Sequence, residues 1–420
     1  MSSYHRSAPL ACPASSFGSR LSSSSRSALP PLSDTGFSII AICHLSWDWV
    51  WQRPQQFLSR LAQRHELLFV EASEANVSRT EVELRSVDHH PGVTRALMRT
   101  PASRRHDRAF IDADLRRALQ EALHGPLAGR LREPVLWFND PMAVTAFAGH
   151  LGERAIVYDC MDELSQFRGA PPLLSEREQQ LTRLADVVFC GGQKMRQKRL
   201  PVNPNCHFYG TGVDLKHFAA ARDAATEIPP ELAAFGDAPV LGYFGVIDER
   251  IDYELLAGLA DARADWHIAM VGPIAKVDPA EFPRRPNLHW LGGCPYSALP
   301  ALTKGFSVCL MPFALNPATE YINPTKALEY MAAGKPVVSS ALDEVRLNFG
   351  AVAHIGGSHA EFIALCERQV AAPNQQRIET GLRLANQNTW DAIAAKMERH
   401  VTTALASRSA VATSPPSVAA

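Results

Sequence analysis

Short apolar runs and amphipathic stretches alternate along the chain from Phe37 to about residue 400. Phe37–His44 reads as a buried strand, Pro54–Arg64 as a helix and Glu66–Val70 as a second strand, which is a βαβ opening. Pro134–Phe138 and Ala155–Tyr158 are two further strands. They run into the acidic loops Asn139-Asp140-Pro141 and Asp159-Cys160-Met161-Asp162-Glu163, which are expected to meet at one sheet edge. A helix through Leu184 and short strands at Val187–Cys190 and Cys206–Tyr209 lead to Gly210-Thr211-Gly212-Val213-Asp214, so the first domain is expected over 37–218.

Ala219–Asp237 has no sustained apolar period and contains Pro229-Pro230, as an interdomain connection should. A second α/β unit follows over 238–385. Val240–Phe244 turns at Gly245, Asp252 is placed to cap a helix, and strands are expected at Trp266–Val271, Asn287–Leu291, Phe306–Met311 and Val337–Ser340. Helices near 359–372 and 375–405 close the pattern, the last of them over 386–406 and placed to cross back to the first domain. Residues 1–36, rich in Ser, Pro and Arg, read as a disordered extension, with a transit peptide or a misplaced start as alternatives. A floppy tail is expected over 407–420.

Composition narrows the picture. A chain of 420 residues with 46% hydrophobic content is too long for one core, and a net charge of −1 argues against broad binding to nucleic acid. Eight cysteines lie far apart without a CxxC pair, which suits reduced thiols in the cytosol. No stretch approaches the roughly 18 apolar residues of a membrane span, so an integral membrane protein is excluded. Basic clusters at Arg95–Arg108 and Lys194–Arg199 are either solvated helix faces or a contact with an anionic membrane surface.

Candidate chemistry centres on Asn323-Pro324-Thr325-Lys326-Ala327-Leu328-Glu329-Tyr330-Met331-Ala332-Ala333-Gly334. Asn323 suits an N-cap, Pro324 the first helical position and Gly334 the stop. A lysine at the positive end of a helix is unfavourable unless an anion sits above it, so Lys326 either marks a phosphate seat or points to solvent. Asp112-Ala113-Asp114 looks like a metal-holding pair, but a helical repeat follows and first-turn acids are the simpler reading; no catalytic metal is expected. No HExxH, GxSxG or GxGxxG pattern occurs.

Gly242-Tyr243-Phe244-Gly245, Tyr209–Asp214 and Asn323–Val338 together resemble the GT-B glycosyltransferases, especially family 4 and its teichuronic-acid-type branch. His44–Gln56 and Tyr158–Glu163 are similar to segments of that branch. The resemblance implies an α/β GT-B fold, two Rossmann-like domains with parallel sheets facing across a cleft, with transfer of a sugar from a nucleotide diphosphate sugar to a glycan or lipid-linked acceptor, with retention, in polysaccharide or cell-envelope biosynthesis. It implies a nucleotide sugar as co-substrate and no other cofactor, in the cytoplasm or peripheral at the inner membrane surface. An epimerase of the same fold and a noncatalytic nucleotide-sugar-binding protein are the alternatives. By the same resemblance Lys326 meets the diphosphate, Glu329 the ribose, and Gly245, Asn323 and Thr325 line the donor side. Two positions depart from the family pattern. Tyr321 stands where a glutamate is usual, leaving Glu320 as the donor-sugar candidate, and Val246 follows Gly245, leaving Arg250 to supply a cation. On the acceptor side Asp162 is the first catalytic candidate, with Asp159, Asp140 and Asp48 as rivals; helix capping is the alternative for these carboxylates. Trp49, within Trp47–Trp51, either lines an acceptor groove or packs in the core, and Arg53 either meets an anion or forms an ion pair.

Overall fold

The computed structural model describes residues 36–413, apart from Arg168 and Ala318. Two sheets organise the chain. The first contains β1 (Ile39–Cys43), β2 (Leu67–Ala75), β3 (Glu81–Ser86), β4 (Val93–Pro101), β5 (Val135–Phe138), β6 (Ala155–Cys160), β7 (Val187–Cys190) and β8 (Cys206–Phe208), in the order β3-β4-β2-β1-β5-β6-β7-β8. Only the β3–β4 pair is antiparallel. The second contains β9 (Val240–Phe244), β10 (His267–Val271), β11 (Leu288–Gly292), β12 (Val308–Met311), β13 (Val337–Ser340) and β14 (His354–Gly356), all parallel, in the order β11-β10-β9-β12-β13-β14. Each sheet reverses its winding once, between β1 and β5 and between β9 and β12. Open α/β sheets bind ligands at such switch points, beyond the carboxyl ends of the strands.

Strand periodicity builds two faces on the first sheet. Ile40, Ile42, Leu136, Phe138, Ile156 and Tyr158 enter one core cluster, while Ile39, Ala41, Val135, Trp137, Ala155 and Val157 enter the other. The second cluster is completed by the last helix, Trp390–Thr413, whose Trp390, Ile393, Ala394, Met397, Val401 and Leu405 recur at helical spacing on one side. The chain leaves the first lobe and returns to it at adjacent points, because Val213 N–H donates to Asn388 O (3.0 Å) and Trp390 N–H donates to Val213 O (3.2 Å).

Three expectations change. Residues 407–413 continue the last helix rather than forming a tail: Pro415-Pro416 are the first residues there that cannot continue a helix, and Arg408 is anchored to Asp186 at 2.9 Å. The rest of the expected tail, like residues 1–35, lies outside the described residues. The connection over 219–237 is not free, since Leu232 is buried in the second-lobe core and Lys304 Nζ donates to the carbonyls of Asp223 (2.7 Å), Ala224 (3.2 Å) and Thr226 (2.6 Å). The β3–β4 ribbon was not expected, and Arg95 within it is buried against Glu71.

Candidate active site

On the second lobe the turn after β9 approaches the turn after β10 at van der Waals distance. Gly245 has φ +140° and its N–H donates to Val271 O at 2.9 Å. A Cβ on Gly272, itself at φ +155°, would sit 1.8 Å from Gly245 O, so both positions require glycine. A Cβ on Gly245 would lie 3.2 Å from Lys326 Nζ, which places the ammonium beside this turn. The ammonium also faces the rings of Tyr243 (5.1 Å) and Phe313 (5.2 Å). Burial and then the neighbouring Arg250 lower the Lys326 pKa to about 8, against the opposing pull of Glu329, Asp248 and Asp162. Burial raises the Glu329 carboxyl, which Lys326 partly counters. Neither side chain has a hydrogen-bond partner among the described residues.

Arg250 is fixed by Asp248, with Nε 2.9 and 3.0 Å from the two carboxylate oxygens and Nη2 2.7 Å from Oδ2. That carboxylate raises the already high pKa of the guanidinium. The guanidinium spans the cleft to the Phe167 ring at 5.6 Å. Asn323 is not the N-cap expected from its type. The helix is Lys326–Ala332 with Thr325 at the cap position in helical conformation and without a capping bond. Asn323 Nδ2 instead donates to Gly191 O of the first lobe at 2.9 Å.

On the first lobe, Asp162 follows β6. Burial raises its pKa while Arg250, His44 and Arg53 lower it, so the carboxylate faces cations of both lobes. It caps nothing: the following turn has Glu163 at its cap position and no side-chain capping bond. Asp159, a catalytic candidate, and Arg53, a candidate for meeting an anion, are buried and neutralise one another. Arg53 Nε and Nη2 donate to Asp159 Oδ1 (3.0 and 2.8 Å), and Nη1 donates to the carbonyls of Tyr209 (2.7 Å) and Gly210 (2.8 Å). Asp140 accepts from Met142 N–H at 2.9 Å and caps a short turn. Asp48 pairs with Arg95 at 2.6 Å. Trp49 is 49% exposed beside it, whereas Trp47 is core, edge-on to Phe69 at 5.1 Å.

Glu320, the donor-sugar candidate, is engaged between the lobes. It pairs with first-lobe Lys194 (3.2 Å), which also meets Asp343 (2.9 Å), while Glu344 accepts from Lys194 N–H at 2.7 Å. Tyr321 lies under Lys194 and Lys198, at 5.6 and 5.8 Å from its ring centre. These contacts hold the lobes together. The basic clusters are locally balanced as well: Arg95 pairs with Glu71 and Asp48, Arg99 with Glu83, Arg104 with Asp107, and Lys198 and Arg199 with Glu163. Asp112 and Asp114 lie beyond the first turn of the helix Arg108–His124 and pair with Arg177 and Arg117. Among the described residues no helix is long and apolar enough to cross a membrane. Sequence reasoning missed Asp248, for which a carboxylate two residues before Arg250 was the available signal.

Residues 238–355 match the family described as Glycosyl transferases group 1. The match lies within the second lobe and covers less than half of the chain. It is 26% identical over 258 residues to a Bacillus subtilis protein, TuaH, described as a candidate teichuronic acid biosynthesis glycosyltransferase; the match covers 57% of this chain and 64% of that relative. Similar solved structures include sucrose-phosphate synthase from Thermosynechococcus elongatus (TM-score 0.66, 15% identity, 88% of this chain and 100% of that one). The α,α-trehalose 6-phosphate synthase of Burkholderia multivorans gives a TM-score of 0.66 at 13% identity, covering 91% and 100% of the two chains. The catalytic domain of Starch Synthase IV from Arabidopsis thaliana, bound to ADP and acarbose, gives 0.62 at 10% identity, covering 88% and 100%. At these identities the solved structures establish the GT-B fold alone. Within that fold Lys326, Arg250, Glu329 and Gly245 converge from the second lobe on the cleft that Asp162 enters from the first.

Proposed function

We propose that this chain transfers a sugar, with retention, from a nucleotide diphosphate sugar to a glycan or glycolipid acceptor in polysaccharide or cell-envelope biosynthesis. The observation that carries this reading is the pair of second-lobe cations, Lys326 and Arg250, beside the Gly245 turn and opposite Asp162. As the glycosidic bond breaks, the leaving diphosphate gains negative charge, so fixed cations there stabilise the transition state more than the ground state. Lys326 and Arg250 hold the diphosphate, Glu329 takes the ribose hydroxyls, Thr325 and the Gly245 backbone line the donor side, and Asp162 orients the acceptor hydroxyl. Exposed Trp49 is the further candidate for packing against an acceptor sugar.

Thermal shifts with ADP, GDP, UDP, CDP and TDP identify the base; a matching ligand at about a hundred times its Kd adds roughly 2.7 kcal/mol. Acceptor-dependent release of the same diphosphate then establishes transfer. Conversion of the donor without an acceptor identifies an epimerase instead, and binding without any turnover a noncatalytic protein.

A further inference from the structure

The second lobe carries a cavity on the side away from the cleft. Its parallel strands point their carboxyl ends toward the cleft, whereas β14, the edge strand of this sheet, begins at the opposite end, with His354 in register with Val338 near the start of β13. A cavity of about 380 Å³ opens beside that start, within the roughly 300–1,000 Å³ of small-ligand sites. Its wall combines Arg346 of the helix Asp343–Phe349, Arg377 of the helix Gln375–Gln387, His354, and the apolar Ala353, Ile355 and Leu365, and it contains no acidic residue.

Neither arginine is neutralised. Arg346 is exposed and has no ion-pair partner among the described residues. Arg377 donates from Nη1 to the carbonyl of Ala353 at 2.8 Å, an uncharged partner that fixes the guanidinium at the cavity and leaves its charge intact. Other arginines of this lobe are matched locally, Arg263 by Asp265 and Arg285 by Asp261. The cationic field reaches the ring between them: burial, then Arg377 and Arg368, lower the His354 pKa to about 4. The ring is therefore neutral at about pH 7, and it has no hydrogen-bond partner among the described residues.

We propose that this cavity binds a small organic phosphate monoester, with the phosphate on Arg346 and Arg377 and the carbon body against Ile355 and Leu365. Two guanidinium groups in one wall repel each other until an anion joins them, and their planar forks match phosphate oxygens in pairs. The apolar residues favour an ester over inorganic phosphate, because only the ester covers them. The bound ester also rests on the helix that holds the lobes together, since Arg346 stands one turn beyond Asp343, which pairs with Lys194 of the first lobe at 2.9 Å.

Calorimetric titration of phenyl phosphate into the full chain tests the site, with Lys326→Met titrated alongside to remove the cleft cation. Saturable binding at one site is expected in both proteins. Arg346→Ala, at an exposed position, and Arg377→Gln, which keeps a donor toward Ala353 while losing the charge, are each expected to weaken binding about 10- to 100-fold. Inorganic phosphate is expected to bind at least about 10-fold more weakly than the ester. Absence of saturable binding, binding abolished by Lys326→Met, or binding that both arginine variants leave unchanged overturns the site. Inorganic phosphate binding as tightly as phenyl phosphate overturns the ester.

Discussion

Replacing Lys326 by methionine is expected to move two quantities in opposite directions. In the free protein the ammonium is disfavoured by burial and by Arg250, which bring its pKa to about 8. That displacement corresponds to roughly 3 kcal/mol of opposed charging, which solvent screening of the partly exposed side chain reduces to about 1 kcal/mol. The cost is borne below the lowered pKa, where the folded-state lysine is charged, and is relieved as pH rises through it. At about pH 7 the variant should therefore be the more stable apo-protein, by about 1 kcal/mol. With nucleotide the order reverses. A charge-assisted contact to a diphosphate is worth about 1.5–3 kcal/mol, so Kd should weaken about 10- to 100-fold. Ligand at about a hundred times the wild-type Kd then adds only about 0.4 kcal/mol to a variant weakened 100-fold, against about 2.7 for the parent. Differential scanning fluorimetry with and without the matching diphosphate measures both. An unchanged nucleotide response would show that the diphosphate lies away from Lys326.

Asp162→Asn should keep nucleotide affinity and lower kcat by about 10²-fold or more; a parallel loss of affinity would move Asp162 to the donor side. Nucleoside diphosphate affinity should decline as pH rises from about pH 7 to about pH 9, because binding favours the protonated Lys326 amine whose free-state pKa lies at about 8, and calorimetry at the two pH values should register proton uptake. A flat profile argues against that pairing. Arg53→Ala should cost about 3–5 kcal/mol in urea unfolding, since it leaves Asp159 buried and unpaired; a loss below about 1 kcal/mol would mean that Asp159 finds solvent. Glu344→Ala should cost about 1–3 kcal/mol and enlarge the radius of gyration in small-angle scattering, because the carboxylate joins Lys194 to the second lobe; unchanged scattering would locate the closure elsewhere.

The lobes and their order were readable because buried parallel strands appear as short apolar runs between helices, and the existence of the Lys326 helix was readable from the Gly334 that follows it, although its start lies at Thr325 and not at Asn323. What remained hidden were the pairings. Arg53 meets Asp159 across 106 residues and Lys194 meets Glu320 across 126, and neither separation has a local sequence signature. The same types of residue therefore suggested substrate contacts where the fold makes ion pairs. Asn323 has an N-cap side chain, yet tertiary contact with Gly191 overrides that local preference.

The returning helix Trp390–Thr413 has a consequence for how the protein must be made. The first sheet is synthesised early, yet the face bearing Trp137 and Phe189, covered in part by Phe57, Leu58 and Leu61, is completed by side chains from Trp390 onward. At about 5–20 residues per second the ribosome takes on the order of ten seconds or more to cover the interval, during which that surface is open to chaperones or to a neighbouring nascent chain. The two lobes are therefore not interchangeable cassettes. A fragment ending before Trp390 carries an uncovered hydrophobic face into solution, while grafting the amino-terminal lobe onto another partner requires the carboxyl-terminal helix to travel with it.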